Sequence, residues 1–235
     1  MSENEYVYEI INNENDARLC AELIAEEFCT CNPITVFDKI TSKCFFENCS
    51  WPLIKDMFDE QLSFLARHRS SGEIIGAVFA GDLYKYHHRH PYDACSPPSV
   101  IPVGDLLDEM DNLFISHDFG QELKPNFVLH ITVAAIRAQH SGKGVASQLH
   151  IALCNYAKNE KGFKYALVQV TNQATRHIYV NKMGGKEVTI VDPTTWIWKK
   201  NNSKQLLYPY KDYKHGLIPR GKKLIPRFQD SIDST

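Results

Sequence analysis

Aromatic and β-branched residues from Tyr6 to Ile11 read as a first strand. Leu19, Leu23, Ile24 and Phe28 then recur at helical spacing behind Asn15 and Asp16, residues suited to capping that helix. Pro33 interrupts the pattern, and a short helix is expected to restart over Ile34–Ile40. Trp51–Leu65 carries Leu53, Ile54, Met57, Phe58 and Leu62 on one helical face, with Pro52 tolerated in the first turn. Two strands follow, Phe64–His68 and Glu73–Asp82, joined by a hairpin turn at Ser71-Gly72. From Leu83 to Pro102, through His87, His88, Arg89, His90 and a Ser-Pro-Pro run, both periodicities stop. An irregular insertion is expected there, the kind of long loop that often carries function. Val103–Ile115 is helical again through Leu106, Leu107, Met110 and Leu113.

The second half has a sharper pattern. Phe127–Ala135 is continuously apolar and β-branched, as a strand buried on both faces would be. Lys143–Asn159 is an amphipathic helix with Val145, Leu149, Leu153 and Tyr156 on one stripe. Tyr165–Thr171 reads as a strand, and Gln173–Met183 as a helix stopped by Gly184-Gly185. Glu187–Val191 and Leu206–Tyr213 are expected to close the sheet. Alternating strands and helices predict α/β (α+β) layering with at least one parallel strand pair.

Composition changes this picture little. The chain has 235 residues, 43% hydrophobic and 23% charged, which fits one domain over 1–235 carrying an insertion at about 83–102. A formal net charge of -2 gives no reason to expect nucleic acid as a partner, although the start of the chain is acidic and its end basic. The N-terminal residues lack the apolar core of a secretory signal, and no apolar run is long enough to span a membrane. The seven cysteines show no metal-site spacing, so reduced thiols in a cytoplasmic protein are expected. The His87–His90 run lies on one local stretch without ligand-spaced partners, and no metal is expected.

The chemistry concentrates between the buried strand and its helix, in Arg137-Ala-Gln-His-Ser-Gly-Lys-Gly-Val-Ala146. A loop that runs into a helix N-terminus presents unpaired backbone N–H groups at the positive end of the helix dipole. Gly142 and Gly144 let the backbone approach a ligand, while Lys143 and Arg137 add positive charge. A phosphate or pyrophosphate suits such a cradle. The spacing matches neither the dinucleotide G-x-G-x-x-G nor the P-loop pattern. It is Q-x-x-G-x-G, written here as Gln139-His-Ser-Gly142-Lys-Gly144.

That motif, its preceding strand, the strand Ala166–Val170 and Asn172 at the next helix start resemble the acyl-CoA site of the GNAT superfamily of N-acetyltransferases. The resemblance implies a central mixed, mostly antiparallel sheet with one splayed parallel strand pair, flanked by helices. It implies acetyl-CoA as co-substrate, with Ile131, Thr132, Val133 and Ala134 offering backbone to the pantetheine arm. Gln139, His140, Ser141, Gly142, Lys143, Gly144, Val145 and Ala146 would hold the pyrophosphate, and Asn172 would touch pantetheine. Tyr179 matches the family's acid toward the leaving thiolate, and His130 stands where some members place a base. A second resemblance, to the arylalkylamine acetyltransferase branch, rests on Phe28-Cys-Thr-Cys-Asn32-Pro33-Ile34 and Tyr210-Lys-Asp-Tyr213-Lys-His-Gly216. It makes Phe28 and Asn32 candidate acceptor contacts, and Tyr84, at the start of an insertion suited to closing a pocket, is a third.

The sequence departs from the family pattern in three places. The proline ahead of the loop is missing from Val133-Ala-Ala-Ile136, and Tyr179 stands one residue further from its glycine. Asn32 occupies the position of the base glutamate in the arylalkylamine branch, leaving Glu27, His130 or a water chain for that task. The implied reaction is direct acetyl transfer to a primary amine, of a small molecule in the first reading, by a monomer or homodimer. Transfer to a protein amine and a non-catalytic acyl-CoA sensor are the alternatives.

Overall fold

A computed structural model describes residues 5–200, 207–214 and 218–223. The chain opens with β1 (Tyr6–Ile10) and α1 (Glu14–Cys31), whose cap is Asn13: its side chain accepts from the Asp16 N–H at 2.9 Å. The expected cap, Asn15 or Asp16, lies inside the first turn. α2 (Pro33–Phe37) follows without a linker, because Asn32 ends α1 and caps α2 with its side-chain oxygen. α3 (Ser42–Phe45) runs through a π turn, Phe46–Ser50, into α4 (Trp51–Met57).

The single helix expected over Trp51–Leu65 stops early. A 3₁₀ turn covers Phe58–Glu60, and Gln61 adopts a left-handed conformation (φ 51°), which redirects the chain into β2 (Phe64–His68). β3 (Ile74–Asp82) returns through the expected hairpin, with Gly72 at φ +71°. The insertion is not irregular throughout. Its first seven residues form α5 (Leu83–Arg89), capped by the Asp82 carboxylate, which accepts from the Tyr84 N–H at 3.0 Å. Only the stretch after Arg89 lacks regular structure, until α6 (Pro102–Leu113) begins.

The remaining elements are β4 (Val128–Ile136), α7 (Val145–Asn159), β5 (Tyr165–Gln169) and α8 (Gln173–Arg176). α8 continues as a π turn, His177–Lys182, and β6 (Thr189–Val191) and β7 (Ile218–Lys223) are the last strands among the described residues. The strand expected over Leu206–Tyr213 is replaced by turns at the described positions 207–213. Lys211 N–H bonds Tyr208 O and Tyr213 N–H bonds Tyr210 O, which brings the Tyr210 and Tyr213 rings onto Phe37. Leu206, His215 and Gly216 lie outside the described residues.

Seven strands form one sheet in the order β1-β2-β3-β4-β5-β7-β6. Every pairing is antiparallel except β4 with β5. β3 is buried along its whole length, and its side chains alternate between two cores. Ala77 and Phe79 join α1, α4 and α6 on one face, while Val78 and Ala80 join Leu149 and Leu153 of α7 on the other. The largely apolar runs of the central strands follow from that double covering. All seven cysteines are free thiols, and no described helix is long and apolar enough to cross a membrane.

Candidate active site

The site begins where two parallel strands part. β4 pairs with β5 only over Val128–Ile131 against Tyr165–Val168, yet β4 runs on to Ile136 beside β3. The register against β3 shifts at this point, since Phe79 faces Val133 while Ala80 faces Ile131. Thr132 is the extra residue, and its hydroxyl donates to Phe79 O at 3.1 Å. A bulge of this kind bends its strand, which gives β4 a local reason to leave β5.

The gap opens into a cavity of about 380 Å³, the size of a small-molecule site. One side is built from the uncovered edge of β4 from Thr132 to Ile136, with Ser141, Ala146, His150, Asn172 and Ile178. The other side comes from α1, from the α3–α4 segment and from the stretch where the insertion meets α6. Phe28, Phe45, Ile101, Val103 and Leu107 make it largely apolar, and Glu27 is the one carboxylate among the described lining residues.

At one end lies the Gly-rich loop. Gly142 and Gly144 both have positive φ, 77° and 81°, a conformation other residues adopt only at a cost. A Cβ at either would meet nothing within 4 Å, so it is backbone conformation that requires glycine there. Gly144 is the cap of α7 and has no side chain to cap with. Within α7 the first bond back to the loop is Gln148 N–H to Gly144 O at 3.1 Å. The N–H groups from Gly142 to Ala146 therefore have no partner among the described residues, an arrangement that favours an anion. The N–H groups of His140 and Ser141 are already used in a 3₁₀ turn, bonded to Arg137 O and Ala138 O. The His140 ring turns away toward Tyr6, whose hydroxyl is 3.0 Å from Nδ1. Lys143 reaches Glu5 at 3.7 Å, and Arg137 pairs with Glu26 and Glu27 of α1, so neither cation stands alone.

The expected cofactor contacts divide accordingly. Ile131, Thr132, Val133, Ala134, Ser141, Ala146 and Asn172 line the cavity. Gly142, Lys143 and Gly144 are exposed and do not line the cavity, although they lie in sequence between its lining residues Ser141 and Ala146, while Gln139 is exposed and Val145 is buried in the core. Asn172 caps α8 through its side-chain oxygen, 2.7 Å from the Ala174 N–H. Of the expected acceptor contacts, Phe28 and Asn32 line the cavity. Tyr84 does not: its ring packs on His88 at 4.0 Å on α5.

Neither Tyr179 nor His130 lines the cavity. Tyr179 sits in the π turn, which takes one residue more than an α turn and so absorbs the shifted spacing. Its ring is sealed edge-on against His150 at 5.1 Å, and its hydroxyl has no partner among the described residues. Burial drives that phenol far above its ordinary pKa. His130 points from β4 toward α6, where Nε2 lies 3.0 Å from Asp111 Oδ2. Burial is the largest influence on its pKa and opposes charge, yet Asp111, helped by Asp108 and Glu60, raises the value above the ordinary one. Facing α6 and absent from the cavity lining, the imidazole is out of reach of an acceptor bound in the cavity.

Among the cavity residues that were not expected as site residues, His150 and Gln169 carry polar groups that bear on the chemistry. His150 is buried, burial lowers its pKa, and Nδ1 sits 2.7 Å from Ala146 O, leaving Nε2 without a partner. Gln169 is the residue after the last β4–β5 pair, and its Nε2 donates to Leu107 O at 2.8 Å and Asp111 Oδ1 at 2.6 Å. A polar residue inside the apolar run Ala166-Leu-Val-Gln-Val170 was the available signal for it.

Comparison with known proteins matches this geometry. The C-terminal condensation domain of Ebony, solved with beta-alanyl-dopamine, superposes with a TM-score of 0.73 at 13% identity, covering 93% of this chain and 98% of that one. An apo agmatine N-acetyltransferase mutant gives 0.61 at 14% identity, covering 83% and 89%. A mosquito arylalkylamine N-acetyltransferase, like 5b, gives 0.62 at 15%, covering 81% and 88%. At such identities these likenesses establish the fold. Comparison with curated protein sequences gives no match. The sequence model of the acetyltransferase (GNAT) family matches residues 22–184, more than half of the chain. The splayed strand pair, the Gly-rich helix start and this match together identify the chain as a member of the GNAT acetyltransferase family, whose acyl donor is acetyl-CoA.

Proposed function

We propose that the chain transfers the acetyl group of acetyl-CoA directly to a primary amine of a small molecule with an apolar body, the whole of 1–235 serving this one site. The observation that carries the reading is the composite cavity, with an uncovered β4 edge on one side and a mostly apolar wall with a single carboxylate on the other. The pyrophosphate would rest on the free N–H groups from Gly142 to Ala146, and the pantetheine arm would run along Thr132–Ile136. A backbone N–H near Val133 would stabilise the carbonyl oxygen as it becomes tetrahedral. Solved relatives named for acting on agmatine and on arylalkylamines support an amine acceptor.

Glu27 is the base in this reading. Its side chain is 14% exposed and is steadied by Arg137 at 3.7 Å. The amine arrives neutral; Glu27 takes one proton from its nitrogen as the C–N bond forms and the C–S bond breaks, and that proton passes through water to the departing thiolate. Asn32 cannot serve, because its amide is occupied on both ends: Nδ2 donates to Thr171 at 2.8 Å and Oδ1 caps α2. The test is thiol release from acetyl-CoA across a panel of aryl and alkyl amines, with the acetylated product identified by mass. Amine-dependent release with product supports the reading. Tight CoA binding without turnover on any amine replaces it with an acyl-CoA sensor.

A further inference from the structure

Gln169 stands at the point where β4 and β5 separate, and its amide orientation is fixed by chemistry rather than by assignment. Both groups within reach of Nε2, the Leu107 carbonyl at 2.8 Å and the Asp111 carboxylate at 2.6 Å, are acceptors only. The amide must therefore turn its nitrogen to α6. Oε1 is left as the open acceptor, on a residue that lines the cavity beside Leu107. Behind it the array continues inward: Asp111 is 6% exposed and His130 3%, with Nε2 and Oδ2 3.0 Å apart. Tyr86 closes the back, its ring 5.2 Å from the His130 ring and its hydroxyl donating to Asp108 at 3.2 Å.

A buried carboxylate beside an imidazole is a costly way to fill space, and apolar residues of similar volume stabilise a fold equally well or better. Its effect here is on direction. Two bonds from one nitrogen lock a neutral carbonyl oxygen next to the strand edge along which an acyl arm would lie. That oxygen cannot take a proton at neutral pH, so it is not a base. It can only accept a hydrogen bond.

We propose that Gln169 Oε1 accepts a hydrogen bond from the nitrogen of the incoming amine, with Asp111 and His130 as positioning residues that keep the amide facing the cavity. The proposal rests on the acetyl-transfer reading and deepens it. An amine nitrogen still carries hydrogen while it attacks a thioester, and its positive charge grows as the bond forms. An alcohol gives up its only hydrogen in the same step and would present an oxygen to Oε1. The array thus selects nitrogen over oxygen as the acyl acceptor. His130 thereby has a part in the site without touching the substrate.

The experiment uses the full chain with 2-phenylethylamine, chosen for its apolar body, and compares wild type, Gln169→Leu and Asp111→Ala. Loss of one hydrogen bond predicts an amine KM about tenfold higher in Gln169→Leu. A smaller rise is expected in Asp111→Ala, where the amide keeps one anchor, and the acetyl-CoA KM should stay unchanged in both. As a second measurement that does not depend on either variant folding, the wild-type Gln169 side-chain amide is followed by ¹⁵N NMR. It should shift on adding the amine to the CoA-bound protein and not on adding ethylbenzene, which has the same apolar body and no hydrogen to donate to Oε1. An unchanged amine KM in folded Gln169→Leu, an equal rise in both KM values, or an amide signal blind to the amine overturns the proposal. If wild type acetylates no amine at all, the functional reading fails with it, whereas turnover indifferent to Gln169 sinks this inference alone.

Discussion

Asp38 ends α2, and its Oδ2 accepts the Tyr210 hydroxyl at 2.9 Å. Burial raises its carboxyl from an ordinary 3.8 to about 6, against the opposing effect of that bond. The folded protein therefore holds this proton more tightly than the unfolded chain does. Stability from Asp38 is fully present below about pH 4 and is lost as pH rises through about 6. The gap corresponds to about 3 kcal/mol at 1.36 kcal/mol per pH unit. Asp38 is half-buried, and solvent screening reduces this to about 1–2 kcal/mol. Asp38→Asn keeps an acceptor for Tyr210 and removes the charge, so it should stabilise the protein at pH 7.5 by that amount. For a chain of this size the melting temperature should rise by about 2–8 °C. The assay is urea or thermal unfolding of both proteins from pH 4 to 8. Asp82 and Asp108 are also raised by burial, so only the difference between variant and wild type isolates Asp38. That difference should be near zero at pH 4 and grow toward pH 7. A constant difference, or an Asn variant less stable at pH 7.5, refutes the reasoning.

Other perturbations probe the site itself. Tyr179→Phe removes a buried hydroxyl that has no partner among the described residues, so the melting temperature should hold or rise and kcat should persist. A large loss of kcat would return the acid role to Tyr179. Glu27→Gln should lower kcat by about 10²- to 10⁴-fold with little change in the KM for acetyl-CoA, measured by thiol release. Equal kcat in the variant would exclude it as the base. Gly144→Ala forces a side chain into left-handed backbone at φ 81° and should cost about 1–2 kcal/mol in an unfolding titration, with weaker CoA binding.

The sequence carried most of the fold because its central strands and α7 repeat apolar residues at one clear period. The Gly-rich loop was legible for a related reason: a left-handed helix cap needs glycine, and the sequence spells it. Elsewhere local pattern misled. Leu62 continued the helical stripe past Met57, but a single left-handed Gln61 ended it. Histidines and prolines between 83 and 102 hid α5, which depends on a cap from Asp82 at the end of a strand. The alternating aromatics at Tyr208, Tyr210 and Tyr213 resembled a strand, although tertiary packing on Phe37 and Trp196 holds Tyr210 in turns. Within the site, the backbone contacts could be read from spacing. Which way His130 faces could not, since one residue of register decides whether it meets α6 or the cavity. Gln169 and Asp111 are 58 positions apart, and no local pattern joins them.

The most direct test of the central claim is a thermal-shift titration of the full chain with acetyl-CoA, CoA, ATP and NAD, with Gly142→Trp as control. A ligand at about 100 times its Kd stabilises the native state by about 2.7 kcal/mol, or about 5–11 °C here. The account predicts that acetyl-CoA and CoA raise the melting temperature with concentration, that ATP and NAD do not, and that Gly142→Trp abolishes the effect. No shift with either CoA species, or an equal shift in the tryptophan variant, contradicts it.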